Sequence, residues 1–335
     1  MSNQTHTLAG RLVAAFVTMG LAVPLSAAAP PSTPPPSTFS VADVQPPTMP
    51  NAPLPDRKPM YDASMTQRLT RHVWMVPGYP NAAIIAGSTG VVVVDTGMGA
   101  VNGKTLADEA MRLAPGRKLY LMTTHFHPEH AAGFGGFPKG TVLIRGRVQQ
   151  RELDLDDGHM IARFAANNGE ALKDPRTGTP DVLFDDSYEV DLGGVHVRAV
   201  YAGPAHTAGD TSIFVPEDGV LVTGDTIQNH FGPTFLGGGI GPARWLATVE
   251  RLEALKPTLI VPDHTGPGAA APMIAEEKAI LAEMVAGAAA ARLAGLSRSD
   301  AVRTVMARIR AERPGWDIGP LADDGVARAY DDGGR

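Results

Sequence analysis

The run THFHPEH, residues 124–130, places three imidazoles and a carboxylate within six residues: His125, His127, Glu129 and His130. A lone histidine on an apolar face is usually a satisfied core residue. Four donors this close together point instead to a bound cation, since zinc draws its ligands from imidazoles and carboxylates. The run follows an apolar stretch, so it occupies a loop at a strand end, where several side chains can converge on one point. The sequence has no cysteine. That removes thiolate ligands, disulfides and a thiol nucleophile, and any metal must be held by His, Asp and Glu. No serine sits in a GxSxG context that would support a Ser–His–Asp hydrolase.

The elements that must hold this loop are legible as apolar runs. Strands are expected at residues 72–76, 82–86, 91–94 and 118–123, with a helix at 103–113 between the last two. Alternating segments follow around residues 188–200, and an apolar strand at 220–223. The segments GVVVVDTGM and GVLVTGDTI each run from a glycine through an apolar strand to an acid, a weak internal repeat that suits two related βα halves. Residues 243–255 put Leu246, Val249, Leu252 and Leu255 on one helical face, with Pro257 beyond its end. After Ile274 an Ala-rich helix runs to Leu293. Gly295 is its C-cap candidate, and Ser297 or Ser299 opens another helix through Ile309. The Gly-rich run at residues 236–241 lacks the ending of a phosphate-binding loop and reads as a flap.

The histidine run resembles the HxHxDH motif of the metallo-β-lactamase superfamily at His125, His127 and His130, with Glu129 where the family has Asp. The resemblance extends from Asp95 to His264, roughly residues 61–272. It implies an α/β fold, the αββα metallo-β-lactamase sandwich, here followed by a C-terminal helical extension. It also implies that His206 in GPAHTAGD completes the first metal site, that Asp225 in VLVTGDT bridges both metals, and that His264 in IVPDHTG closes the second. Asp263 stands where the family more often has Gly. Asp95 matches the family's buried acid, a residue that orients the histidine loop.

The resemblance therefore gives a metal set of His125, His127, Glu129, His130, His206, Asp225 and His264, with Glu129 and Asp225 also acting in catalysis. Three neutral imidazoles leave a zinc ion one open position, and the ion lowers the pKa of water there toward about 7, giving metal-bound hydroxide at working pH. Two Zn²⁺ per chain are expected, and the greater oxygen content of the second site leaves iron or manganese open there. Glu129 adds a methylene to the family's Asp, so either the loop adjusts or the second site weakens, and a one-metal enzyme stays open. The expected function is hydrolysis of an ester, lactone or thioester-like bond in a small molecule. Family lactamases without a bridging carboxylate have Cys or Ser where this chain has Asp225, which resembles hydroxyacylglutathione hydrolases, lactonases and related phosphodiesterases instead. Export to the periplasm, where lactamases work, keeps β-lactam hydrolysis as the alternative within the family. A non-catalytic metal-binding accessory protein is the alternative outside it.

The remaining histidines, His6, His72, His159, His196 and His230, read as bystanders, although His230 with Asn229 lies close enough to Asp225 in sequence to line a pocket. A net charge of -6 without clustered Lys and Arg argues against nucleic acid as a partner. Arg11, the apolar residues 12–23 and the small residues 25–29 read as an export signal, too short to span a membrane. The expected organisation is a signal peptide at 1–29, a Pro-rich linker at 30–60, a hydrolase domain at 61–273 and a helical extension at 274–335. The mature product would be periplasmic or secreted, with no stable membrane anchor.

Overall fold

The computed structural model describes Met1 and residues 37–45, 60–167, 172–236 and 239–333. The chain falls into two compact units, Met1–Pro30 and Pro31–Arg335, and the description below concerns the second. The expected signal and His6 lie outside the described residues, as do residues 237 and 238 of the Gly-rich run.

Thirteen strands and eight helices are found among the described residues. The first half gives β1 (Gln67–Arg68), β2 (Val73–Val76), β3 (Ala82–Ala86), β4 (Gly90–Val94), α1 (Gly99–Leu113), β5 (Lys118–Met122), α2 (Pro128–Ala131), β6 (Val142–Gly146), α3 (Arg147–Asp156), α4 (His159–Asn167) and β7 (Val182–Phe184). The second half gives β8 (Ser187–Asp191), β9 (His196–Val200), β10 (Ser212–Val215), β11 (Val220–Gly224), α5 (Pro242–Glu253), β12 (Leu259–Pro262), β13 (Gly268–Ala269), α6 (Ala270–Leu293), α7 (Arg298–Glu312) and α8 (Asp323–Asp331).

The strands form a seven-stranded sheet in the order β1-β2-β3-β4-β5-β6-β7 and a six-stranded sheet in the order β13-β12-β11-β10-β9-β8. Strand β4 shows how sequence fixes the layers. Its side chains alternate in direction, so Val92 and Val94 enter the core shared with Val197 and Val222 of the other sheet. Val91 and Val93 turn the opposite way, onto Leu106 and Ala110 of α1. A strand buried on both faces has to be a continuous apolar run, and GVVVV is one. On the far face of the second sheet, Leu221 and Ile260 pack against Trp245, Val249 and Leu252 of α5 and Ile280, Leu281 and Met284 of α6. The layers are therefore helix, sheet, sheet, helix, as the sequence resemblance implies.

The two segments of the weak internal repeat take matching places. β4 pairs parallel with β5 and β11 parallel with β12, and each hands on directly to an acid, Asp95 or Asp225. Two expectations change. The helix expected after Ile274 starts at Ala270, because Pro272 lies in its first turn, where its missing N–H has no intrahelical partner to lose. The boundary at 273/274 thus falls inside one helix. Within the expected linker, residues 37–45 bury Phe39 and Val44 in the core between the sheets. These two large apolar side chains interrupt the Pro, Ser and Thr run and dock it. Arg244 lies over the Phe39 ring at 5.7 Å.

Candidate metal centre

Every chemically interesting residue of the sequence reading sits at a strand end or on the loop between β9 and β10. Asp95 follows β4, the run from His125 to His130 follows β5, Asp225 follows β11, and Asp263 and His264 follow β12. Asp95 adopts a left-handed backbone at φ 68°, unusual for a residue with a Cβ. In that conformation its carboxylate accepts from the Thr124 amide at 2.7 Å and the Thr124 hydroxyl at 2.8 Å. Nδ1–H of His130 donates to the same carboxylate at 2.9 Å. The carboxylate thereby fixes the start of the histidine loop and its last imidazole together. Gly224 makes the approach of β11 possible. A Cβ there would stand 2.8 Å from the Cβ of Thr124, and its φ of +57° already favours glycine.

The structure brings together His125, His127 and His206, with Nε2 of His125 3.0 Å and Nε2 of His206 3.3 Å from Nδ1 of His127. His206 reaches this point on a loop tied from two sides. Asp210 accepts from the amides of Ala205 and Thr207 at 3.2 and 2.8 Å, while Glu152 of α3 accepts from the amides of Ala208 and Gly209 at 2.8 Å each. Asp225 lies between two groups of imidazoles. Its Oδ2 is 3.3 Å from Nε2 of His206 and 4.0 Å from Nε2 of His125, and its Oδ1 is 3.1 Å from Nε2 of His264. His125, His130 and Asp225 also form a cluster within metal-binding reach.

Outer hydrogen bonds decide which nitrogens face inward. His206 Nδ1 lies 2.6 Å from the Thr234 carbonyl, which can only accept, so that nitrogen carries the proton and Nε2 keeps its lone pair for the centre. His130 repeats the arrangement: Nδ1–H goes to Asp95, and Nε2 is buried without a partner. Burial, reinforced by neighbouring imidazoles, holds His125 and His127 well below the usual histidine range, in the neutral form a metal needs. Although burial opposes it, the surrounding imidazoles of His264 and His206 hold Asp225 well below the usual carboxylate range. Lone pairs turned inward, as on His206 and His130, cannot satisfy one another by hydrogen bonding. A divalent cation would satisfy such nitrogens, and the donor set fits one.

Glu129 is buried near the base of α2, and its Oε2 has no hydrogen-bond partner. Burial pushes its pKa up, opposed by His130 and His264. It belongs to none of the three tight donor clusters. Those are His125, His127 and His206; His125, His130 and Asp225; and Asp95, His130 and Asp263. Asp263 proves to be a second carboxylate on His130, 3.2 Å from its Nδ1. Burial, and then the neighbouring Asp95, push Asp263 well above the usual carboxylate range.

The sequence reading missed Gln228 and Tyr79, as it missed Thr234. Gln228 donates from Nε2 to Asp225 Oδ1 at 3.1 Å, and its Oε1 accepts from the His264 amide at 3.3 Å, joining the two strand ends. Its position three residues after Asp225 was the one available signal. Tyr79, on the β2–β3 loop, lies 4.2 Å from the His264 ring, and nothing local in the sequence marks it. Of the bystanders, His72 pairs with Asp218, His196 with Glu217, and His159 with the Asp156 carbonyl, all away from the centre.

The sequence profile of the metallo-beta-lactamase superfamily matches residues 75–264. The chain is 27% identical over 211 residues to the 2,4-dinitroanisole O-demethylase subunit alpha of Nocardioides sp. (strain JS1661), covering 61% of this chain and 58% of that protein. It is 31% identical over 160 residues to the hydroxyacylglutathione hydrolase of Acidiphilium cryptum, covering 47% of this chain and 55% of that one. The chain thus spans a little over half the length of these two relatives. Among solved structures, the sec-alkylsulfatase Pisa1 from Pseudomonas sp. shares the fold with a TM-score of 0.60 at 16% identity, over 80% of this chain and 50% of that one.

Proposed function

The chain belongs to the metallo-beta-lactamase superfamily, and from that premise we propose that it is a zinc-dependent hydrolase, binding two ions, that cleaves a carboxylic ester, lactone or thioester-like bond in a small molecule. The observation that carries this reading is Asp225, whose two oxygens face two different imidazole groups at 3.3 and 3.1 Å. A carboxylate so placed suits a pair of ions. His125, His127 and His206 would hold the first, and His130, His264 and Glu129 the second, with Asp225 shared. When bound, the ions supply Lewis acidity and lower the pKa of water.

The residues of the chain supply the rest. Asp95 holds His130 in the tautomer that keeps Nε2 free, and the Thr234 carbonyl does the same for His206. Gln228 fixes the orientation of the shared carboxylate. Glu129 would supply Oε2 to the second ion, an oxygen that no hydrogen bond engages. Tyr79 packs its ring against His264 at 4.2 Å. The N-terminal pattern of Arg11, an apolar run and alanines supports export to the periplasm or the medium. Among the described residues no helix is long and apolar enough to cross a membrane.

The test is a side-by-side comparison of the zinc-loaded protein on lactones, carboxylic esters, thioesters, β-lactams, alkyl sulfates and phosphodiesters. The highest kcat/KM is expected on a lactone or other carboxylic ester, with weak β-lactam turnover. A penicillin or carbapenem turned over at about 10⁴ M⁻¹s⁻¹ or faster, with esters untouched, would overturn the assignment.

A further inference from the structure

Residues 230–235, a few positions after Asp225, are tied to the C-terminal extension at both ends. At the near end Asp317 lies beside Phe231 as a parallel bridge; its amide donates to the His230 carbonyl at 3.0 Å and its carbonyl accepts from the Gly232 amide at 2.8 Å. At the far end the Phe235 amide donates to the Leu321 carbonyl at 3.4 Å. Arg328 of α8 donates to the Phe235 carbonyl at 3.2 Å and to the Ile240 carbonyl at 2.8 Å. The Phe235 ring is buried 5.1 Å from the ring of Trp245, and it lies so close to the Gly325 backbone that a Cβ there would stand 2.4 Å from its Cε2. Between the two ties sits Thr234, whose carbonyl is 2.6 Å from Nδ1 of His206.

We propose that the C-terminal extension is part of the first metal site, with Arg328 a positioning residue that acts on His206 through the Thr234–Phe235 peptide. A peptide unit is planar, so the Thr234 carbonyl and the Phe235 amide are two ends of one rigid group. Whatever holds the amide aims the carbonyl. Leu321 holds that amide, and Arg328 holds the carbonyl at the other side of Phe235, which leaves the plane between them little freedom to turn. The direction matters because the Thr234 hydroxyl also stands 3.1 Å from His206 Nδ1. A hydroxyl donates or accepts, so it is compatible with either tautomer, whereas a carbonyl only accepts and so keeps the proton on Nδ1 and the lone pair on Nε2. If the peptide turned, the hydroxyl alone would remain, and His206 would be free to place its proton on the nitrogen that faces the metal. The proposal rests on the reading of His206 as a metal ligand and does not depend on which bond the centre cleaves.

Two variants of the full chain disturb the peptide by different routes. Arg328→Met removes both hydrogen bonds and keeps an apolar stem. Gly325→Ala keeps Arg328 and favours the helix, but its methyl displaces the Phe235 ring. In competition with a chelator of known affinity, each should bind one zinc equivalent about ten- to hundredfold more weakly, the usual cost of losing the outer partner of a metal-binding imidazole. Met306→Ala is the control, since it loosens the same helical core and removes none of these hydrogen bonds. It should lower the melting temperature and leave zinc binding as in the parent. A second readout needs no metal: in ¹⁵N-histidine NMR the His206 Nδ1–H should exchange slowly with solvent in the parent and faster in both variants. Zinc affinity and exchange both unchanged in Arg328→Met, or zinc weakened as much by Met306→Ala, overturns the proposal. Absence of ester hydrolysis counts against the functional reading alone. A parent chain that binds no zinc overturns the metal-centre reading, and exchange then decides alone, equal rates in parent and Arg328→Met overturning the proposal.

Discussion

Glu129 is where this chain departs most clearly from the motif it resembles. A carboxylate one methylene longer than Asp reaches its target by a different path, and here that path ends in a buried oxygen without a protein partner, outside the tight donor clusters. A buried unpaired carboxylate costs too much to persist without a cation or a proton. If the cation is the second ion, Glu129→Gln should lower bound zinc from about two equivalents per chain toward one, because a neutral amide is a far poorer ligand. Metal analysis of the purified variant checks this, and an unchanged count would remove Glu129 from the ligand set. At this scale the motif made the histidine loop legible, since donors dense in sequence need only one loop to meet. His206, Asp225 and His264 are distant in sequence and were legible only through family resemblance. Gln228, Thr234 and Tyr79 were not legible, because their contribution depends on where separate strands end.

Strands and helices buried on both faces announce themselves as apolar runs, which is why β3, β4 and β11 stood out in the sequence. Helix α8 did not. It opens on Asp323, Asp324 and Gly325, and it buries only Val326 and small residues, so it offers little apolar bulk to mark it. The long helix α6 carries one polar residue at odds with its apolar face. Glu277 is buried, with Oε1 unpartnered and the other oxygen accepting from the Gln228 amide. Burial pushes this carboxyl from an ordinary 4.5 up to about 8. The folded chain therefore keeps a proton that the unfolded chain releases between those values. Its contribution to stability is complete below pH 4.5, declines as pH rises to about 8 at about 1.4 kcal/mol per unit, and is flat above. Glu277→Gln mimics the protonated form and cannot ionise. Urea denaturation at pH 5 and pH 8 should therefore show parent and variant alike at the lower pH and the variant more stable at the higher. Equal pH slopes would mean that Glu277 is ionised in the folded protein.

In the folded unit as a whole, the metal centre sits where both sheets present the ends of their parallel strands, and the second sheet is covered by a helical layer that runs into the C-terminal extension. Met306 and Ile309 of α7 and Val326 of α8 share one apolar core with Trp245 of α5 and Met284 of α6. Removing residues 298–335 would bare that core, so the truncated chain should be far less soluble or unfold cooperatively at a much lower temperature. A truncated protein with the parent's melting temperature would show the extension to be a separate appendage. The layer order was legible in the sequence, whereas this shared core was not, because it joins helices that local periodicity reads one at a time. The central claim is that the imidazoles and Asp225 form one metal-dependent ester-cleaving centre. It is tested most directly by titrating the chelator-stripped protein with zinc while measuring bound metal and ester hydrolysis together. Hydrolysis should be absent at the start, rise with bound zinc and level off near two equivalents. Ester cleavage that persists in the stripped protein, or full zinc binding with no cleavage of any ester or lactone, would contradict the account.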